Sequence, residues 1–179
     1  KAKKEGYFSR SAFKLLEIEN KFHLIIKSKS ILELGSSPGG WSQVICQINK
    51  KAKIDSFDLL DMSFIHKNIN FYKKNFIKFD FEKFNKKYDL ILSDMAPNTL
   101  GHKSTDHLRI ISLIENILYI LDKIAQINSN FIFKIWKGSE EKNLINNLKK
   151  KFRNISYFKP HSSRSESSEI FIVAQEFIG

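Results

Sequence analysis

Apolar positions along the chain recur with two periods, and the switches between them outline an alternation of helices and strands. Over residues 9–22, Leu15, Leu16, Glu19 and Phe22 fall at helical spacing with no Gly or Pro, which predicts a helix carrying Lys14 in its first two turns. Ile31, Leu32 and Leu34 suit a buried strand, and after a small-residue turn Trp41-Ser42-Gln43-Val44 opens a second helix. Short strands are predicted over 52–58 and 70–72, the latter ending near Asn75. The Lys- and Phe-rich stretch that follows, up to Lys87, has weak periodicity and predicts no element. Residues 88–93 read as a fourth buried strand. Residues 104–123 read as an amphipathic helix, with Leu108, Ile111, Ile114, Leu118 and Leu121 on one face and Ser, Thr and Asp at its start for capping. A fifth strand over 130–136 carries Lys134 in an otherwise apolar run. Ser139 opens another helix, with Glu140 and Glu141 at its positive end and Lys149 to Lys151 at its negative end. Residues 155–159 and 169–174, joined by the polar PHSSRSESS, read as two final strands with no helix between them, hence an antiparallel pair. The whole predicts a three-layer α/β sandwich: a mostly parallel seven-stranded sheet with one reversed edge strand and helices on both faces.

Size and composition narrow this further. A chain of 179 residues, 42% hydrophobic, supports one substantial core, so residues 1–179 are expected to form a single domain. Its net charge of +11 favours an acidic partner, nucleic acid above all, although Lys/Asn/Ile/Phe-rich codon usage supplies part of that charge without any binding role. The single Cys46 excludes an internal disulfide, and no Cys/His pair has zinc-ligand spacing. No apolar run reaches membrane-spanning length, and the opening KAKKEGYFSR is too polar for a signal peptide. Neither metal nor membrane is expected as a partner, and a monomer is expected.

The chemistry concentrates around ILELGSSPGGWSQV. A strand, a glycine turn and a helix N-terminus bring unpaired N–H groups to one mouth, where doubly wound proteins bind nucleotides. The run Gly35-x-x-x-Gly39-Gly40 lacks the middle glycine of a dinucleotide fingerprint and the Lys-Ser/Thr ending of a phosphate loop. A nucleoside-type ligand without a phosphate chain remains, with S-adenosylmethionine (SAM) the leading candidate. Asp58 ends the second predicted strand 23 positions after Gly35, the separation at which an acid grips ribose hydroxyls, unless it is an ordinary loop carboxylate. Lys14, Asp94, Lys134 and Glu169 stand at element ends or inside apolar strands. An isolated ammonium in an apolar interior is costly, so Lys134 must be paired or reach a cleft. Structural salt bridges are the plain alternative for these four.

GYFSRSAFKLLEI, LELGSSPGGWSQV, the acid of SFDLLDM, SDMAPN, the lysine of FKIWKG and KPHSSRSESSEIFIVA together resemble, in order and over nearly the whole chain, the motifs of the FtsJ/RrmJ family of ribose 2′-O-methyltransferases. The resemblance implies a Rossmann-like SAM-dependent methyltransferase fold and a Lys-Asp-Lys-Glu tetrad on Lys14, Asp94, Lys134 and Glu169. SDMAPN is similar to the branch that methylates a uridine of large-subunit ribosomal RNA. TDHLRIISL, KIWKGS and KPHSSRSESSE resemble mitochondrial members, which implies an organellar setting, with bacterial cytoplasm as the competing one. Two departures stand out: Phe8 replaces a frequent basic residue, and Asn75 replaces an aspartate that reads the adenine amino group, where an amide carbonyl can still accept that N–H.

In this reading Gly35, Gly39 and Trp41 wrap the methionine portion of SAM, Asp58 its ribose and Asn75 its adenine, with Asp94 beside the transferred methyl; Trp41 is otherwise a core aromatic. Lys134 accepts the proton of the ribose hydroxyl, a neutral amine being made accessible by the Lys14 ammonium and partial burial, while Lys14 and Glu169 orient the ribose. The RNA-facing surface gathers the helical segment 1–28 with Lys1, Lys3, Lys4 and Arg10, and adds Lys137 and Arg164. A tRNA or cap methyltransferase with the same tetrad and a catalytically silent RNA-binding ribosome-assembly factor are the competing readings.

Overall fold

The computed structural model describes residues 2–97, 101–164 and 166–179, with the side chains of Lys3 and Lys103 excepted. Lys1, Asn98 of SDMAPN and Ser165 of PHSSRSESS thus lie outside the described residues, as does the side chain of Lys3. In chain order the elements are α1 (Ser11–Phe22), β1 (Ser30–Leu34), α2 (Gly40–Ile48), β2 (Lys53–Asp58), β3 (Ile69–Lys73), α3 (Phe81–Phe84), β4 (Tyr88–Ser93), α4 (Lys103–Ile124), β5 (Ala125–Trp136), α5 (Glu141–Lys149), β6 (Phe152–Phe158) and β7 (Glu169–Phe177). The strands form one seven-stranded sheet in the order β3-β2-β1-β4-β5-β7-β6. β1, β2, β3, β4 and β5 pair in parallel, and β7 runs antiparallel to both of its neighbours, β5 and the outermost β6.

Central strands covered on both faces need apolar side chains at successive positions, and β1 and β4 read as near-continuous apolar runs for that reason. In β5 the period of two sorts the side chains. Phe131, Phe133 and Ile135 join the core under α4 and α5, while Ile132 faces α1 and α2 together with Phe171 and Val173 of β7. Lys134 shares the face of Ile132 and registers with Phe171. A lysine on that face can project from the end of β5 toward α1.

Several boundaries move. In α1 the predicted Leu15 and Glu19 are buried, Glu19 accepting the N–H groups of Ile25 (2.7 Å) and Ile26 (3.1 Å), while Ala12 and Ile18 complete the buried face and Leu16 and Phe22 are only partly covered. Leu108 is 53% exposed. The inward face of α4 runs through Ile110, Ile111, Ile114, Ile117, Leu118 and Leu121, a stripe that leaves Leu108 outside. No side chain of the N-cap His102 caps α4; instead Asp106 accepts the Gly101 N–H at 3.2 Å. β5 begins at Ala125, and its pairing with β4 shifts register between Tyr88 and Leu90, near Asn128 with φ of 65°. The stretch without a predicted element folds as a 3₁₀ turn over Phe76–Lys78 and the single-turn α3, capped by the side chains of Asn75 and Asp80. Aromatic packing holds it, with Phe57 stacked on Tyr72 at 4.8 Å and edge-on to Phe79 at 4.8 Å. No described helix is long and apolar enough to cross a membrane.

Candidate active site

The ends of β1, β2, β4 and β5 deliver the predicted residues to one edge of the sheet. At the end of β1, Gly35 has φ of +79°, and its N–H donates to the Phe57 carbonyl at 2.9 Å. A Cβ there would stand 2.7 Å from Met95 Cγ and 2.9 Å from the Met95 nitrogen, so only glycine lets the turn pass under the segment that follows β4. Gly39, with φ of +112°, is the N-cap of α2, and a Cβ on it would meet Phe64 Cβ at 2.4 Å. Asp58 binds the turn from the side: it accepts the Ser37 N–H at 2.8 Å and the Leu60 N–H at 2.9 Å. Each carboxylate oxygen keeps a lone pair for a further donor such as a ribose hydroxyl. Within the turn, Ser36 Oγ is buried without a hydrogen-bond partner among the described residues. A bare cradle with a spare acceptor and an unused hydroxyl fits a nucleoside ligand of the SAM type.

Two cradle assignments change character. The Trp41 side chain is 2% exposed, its indole N–H donates to the Ser11 carbonyl at 2.9 Å and its ring lies 5.8 Å from that of Phe171. It pins α2 to α1 and β7. The Asn75 side-chain carbonyl already accepts the Ile77 N–H at 3.0 Å. One of its two lone pairs is thus spent on the 3₁₀ turn.

The four suspected charges form two ion pairs. Lys134 Nζ donates to Asp94 Oδ1 and to the Asp94 carbonyl, both at 2.8 Å. Lys14 Nζ, from α1, lies 2.7 Å from Glu169 Oε1 and 2.8 Å from Oε2. All four side chains are largely buried, at 9–17% relative exposure. Burial alone would raise the Glu169 carboxyl; the Lys14 hydrogen bond and charge, the Ser163 hydroxyl (2.9 Å) and the Lys134 charge outweigh it and hold the group below the ordinary carboxylate range. The pull of Lys134 on Glu169 couples the two pairs into one cluster. The connection after β6 is tied in from outside: Glu17 of α1 accepts the N–H groups of His161 and Ser162, and Lys159 donates to the Glu169 carbonyl.

A cavity of about 280 Å³ opens at the Lys14–Glu169 pair, lined also by Arg10, Ser162, Arg164 and Ser167. Two guanidiniums beside a lysine suit a phosphodiester next to a ribose. Of the other predicted RNA contacts, Lys4 and Lys137 are exposed. A larger, open cleft of about 610 Å³ lies beside the 3₁₀ turn, with Lys74, Asn75, Lys78 and Phe79 among its lining. Its charged lining, Lys74, Lys78, Asp80 and Lys83, is exposed, unlike the buried ion pairs at the strand ends. Among the described residues there is no group of three or more His, Cys, Asp or Glu able to hold a metal.

Two buried groups escaped the sequence reading. His107 bridges Nδ1 to the Trp136 carbonyl (2.8 Å) and Nε2 to the Glu140 N–H (3.1 Å), which defines Nδ1 as the protonated nitrogen and clamps the end of β5 to the start of α5. Glu33, the penultimate residue of β1, is 1% exposed. One of its oxygens accepts from Ser42 and from Ser56 (2.9 Å), and the other has no partner among the described residues. The signal was available, since an acid inside ILEL is as anomalous as a lysine inside NFIFKIW.

Burial pushes the Glu33 acid up from an ordinary 4.5 to about 7, against the opposing serine hydroxyls and with help from the Asp94 charge. Folded Glu33 therefore keeps its proton while the unfolded chain ionises. Stability is expected to fall as pH rises from about 4.5 through about 7, by about 3 kcal/mol, and this contribution is level above that window. Glu33→Gln stays neutral and removes the slope, so the difference in melting temperature between about pH 5 and about pH 8 should shrink in the variant.

The FtsJ-like methyltransferase family model matches residues 7–177. A Wolbachia pipientis protein named ribosomal RNA large subunit methyltransferase E is 45% identical over 183 residues, covering 100% of this chain and 94% of that protein. A Rickettsia canadensis protein of the same name is 43% identical over 185 residues, covering 97% of this chain and 81% of that protein. A Plasmodium falciparum crystal structure, described as a candidate ribosomal RNA methyltransferase, superposes with a TM-score of 0.84 at 33% identity, covering 97% of this chain and 100% of that one.

Proposed function

From its place in the FtsJ-like methyltransferase family, to which this chain belongs, we propose that it transfers the methyl group of SAM to the ribose 2′-hydroxyl of a uridine in large-subunit ribosomal RNA. The observation that carries this reading is the convergence of the Lys134–Asp94 and Lys14–Glu169 pairs at the strand ends beside the cradle. The names of the Wolbachia and Rickettsia relatives support the choice of substrate.

Gly35, Gly39 and the Ser36 hydroxyl would hold the methionine part of the donor, Asp58 the ribose and the remaining lone pair of Asn75 the adenine. When bound, SAM supplies an electrophilic methyl on a cationic sulfur. Lys134 Nζ commits two of its tetrahedral positions to Asp94. In the neutral amine a lone pair would occupy the one remaining position and would accept the 2′-hydroxyl proton as the methyl carbon–sulfur bond breaks, the sulfur leaving as a neutral thioether and the ribose oxygen taking the methyl. Asp94 fixes the lysine, and the Lys14–Glu169 pair lines the cavity that receives the acceptor nucleotide. Holding oxygen and methyl in line is worth about 7–11 kcal/mol of the barrier where orientation is good.

The reading is tested by offering labelled SAM with unmodified large ribosomal subunits, free ribosomal RNA or tRNA. Incorporation into subunits or their RNA and not into tRNA is the expected result. Preference for tRNA would favour the tRNA branch, and binding without incorporation an assembly factor. The organellar setting rests on motif wording, and imaging of the tagged full-length protein tests it.

A further inference from the structure

Phe8 lies in a basic segment between Lys4 and Arg10 and is 43% exposed. Its ring meets Phe64 edge to face, with 5.6 Å between centroids, and Phe64 in turn stacks on His66 at 6.2 Å and 11°. The row is held in place from below. The Ser63 and Phe64 N–H groups donate to the Pro38 carbonyl at 3.1 and 3.2 Å, and Phe64 Cβ covers Gly39. Gln43 of α2 accepts the Phe8 N–H at 3.2 Å and donates to the Gly6 carbonyl at 2.8 Å. Two residues beyond Phe8, Arg10 lines the cavity at the Lys14–Glu169 pair. The aromatic row therefore sits beside the glycine turn, next to the cavity assigned to the acceptor nucleotide.

An aromatic ring anchored at its backbone, open to solvent and flanked by cations has the composition of a single-stranded RNA platform, where bases stack and basic groups follow the phosphates. We propose that Phe8, seated on Phe64, stacks an unpaired base of the RNA substrate adjacent to the nucleotide that is methylated. The proposal rests on the RNA-methylation reading.

The test uses a short ribosomal RNA fragment with 2-aminopurine placed in turn at each position flanking the modified uridine. Wild-type protein is expected to quench the probe at one flanking position. Phe8→Ala should lose that quench and raise the KM for RNA by about 5- to 100-fold, with the KM for SAM unchanged, and Phe8→Trp should restore both. An unaltered melting temperature would show that Phe8→Ala is folded. Wild-type quench and KM in Phe8→Ala would overturn the platform while leaving the methylation reading intact. Failure of the wild-type protein to methylate any RNA would overturn that reading itself. A defect of Phe8→Ala on whole subunits but not on naked RNA would identify a ribosomal protein as the partner of this ring and would also overturn the proposal.

Discussion

Lys134→Ala lowers methyl transfer by about 10²- to 10⁴-fold at saturating SAM and RNA, the range expected when a general base is removed. The loss is larger than that of an exposed lysine because no other described side chain donates to Asp94, and Lys134 binds both its carboxylate and its carbonyl. The same substitution leaves the largely buried Asp94 carboxylate without its partner, at a cost of about 1–3 kcal/mol in stability. Melting temperature and turnover must therefore be read together. Lys134→Arg separates the roles. Arginine supplies a permanent positive charge beside Asp94 but cannot take a proton near neutral pH, so it should stay as inactive as the alanine variant while recovering part of the lost stability. Full turnover with arginine would reduce Lys134 to an electrostatic role. Single-turnover kinetics on the three proteins decides between these outcomes.

Gly35→Ala is expected to destabilise the protein and to disable donor binding together. A Cβ at φ +79° costs about 1–2 kcal/mol in backbone conformation. The contacts at 2.7–3.0 Å with Met95 add about 1–3 kcal/mol of overpacking. Two of the three clashing atoms, the Met95 nitrogen and Cα, are backbone, and the preceding Asp94 N–H is tied to the Leu34 carbonyl at 3.2 Å, so the side chain of Met95 cannot relieve the strain by rotation alone. A fall in melting temperature of about 5–15 °C should appear in calorimetry. Titration with SAM below the transition should then show weakened binding, because the strain pushes on the turn and on the residue next to Asp94. A control, Gly101→Ala, meets no atom of the described residues within 4 Å beyond its chain neighbours and reads the cost of the positive φ (+83°).

The sheet was legible because its strands are buried on two faces and announce themselves as apolar runs between turns. The two buried ion pairs were legible for the complementary reason: Lys134 breaks such a run, and Asp94 and Glu169 stand at the ends of others. The same logic, applied evenly, would have found Glu33. What periodicity could not reach was structure held by long-range packing. The short helices between Phe76 and Phe84 depend on rings from β2 and β3, which no local window contains. Nor could spacing decide which way Trp41 faces, since its partners, Ser11 and Phe171, come from opposite ends of the chain. Leu108 was misplaced by less than one helical step, enough to move it from the core to solvent.

The proposed reaction is tested most directly by where the methyl group goes. Large subunits lacking the modification, incubated with the protein and methyl-labelled SAM, can be stripped of protein and their RNA hydrolysed in alkali. Cleavage requires a free 2′-hydroxyl, so a methylated ribose survives as an alkali-resistant dinucleotide. Label in one such dinucleotide beginning with uridine, absent with Lys134→Ala, is the predicted result. Label in ordinary mononucleotides, which would place the methyl on a base, or no label in RNA at all, would contradict it.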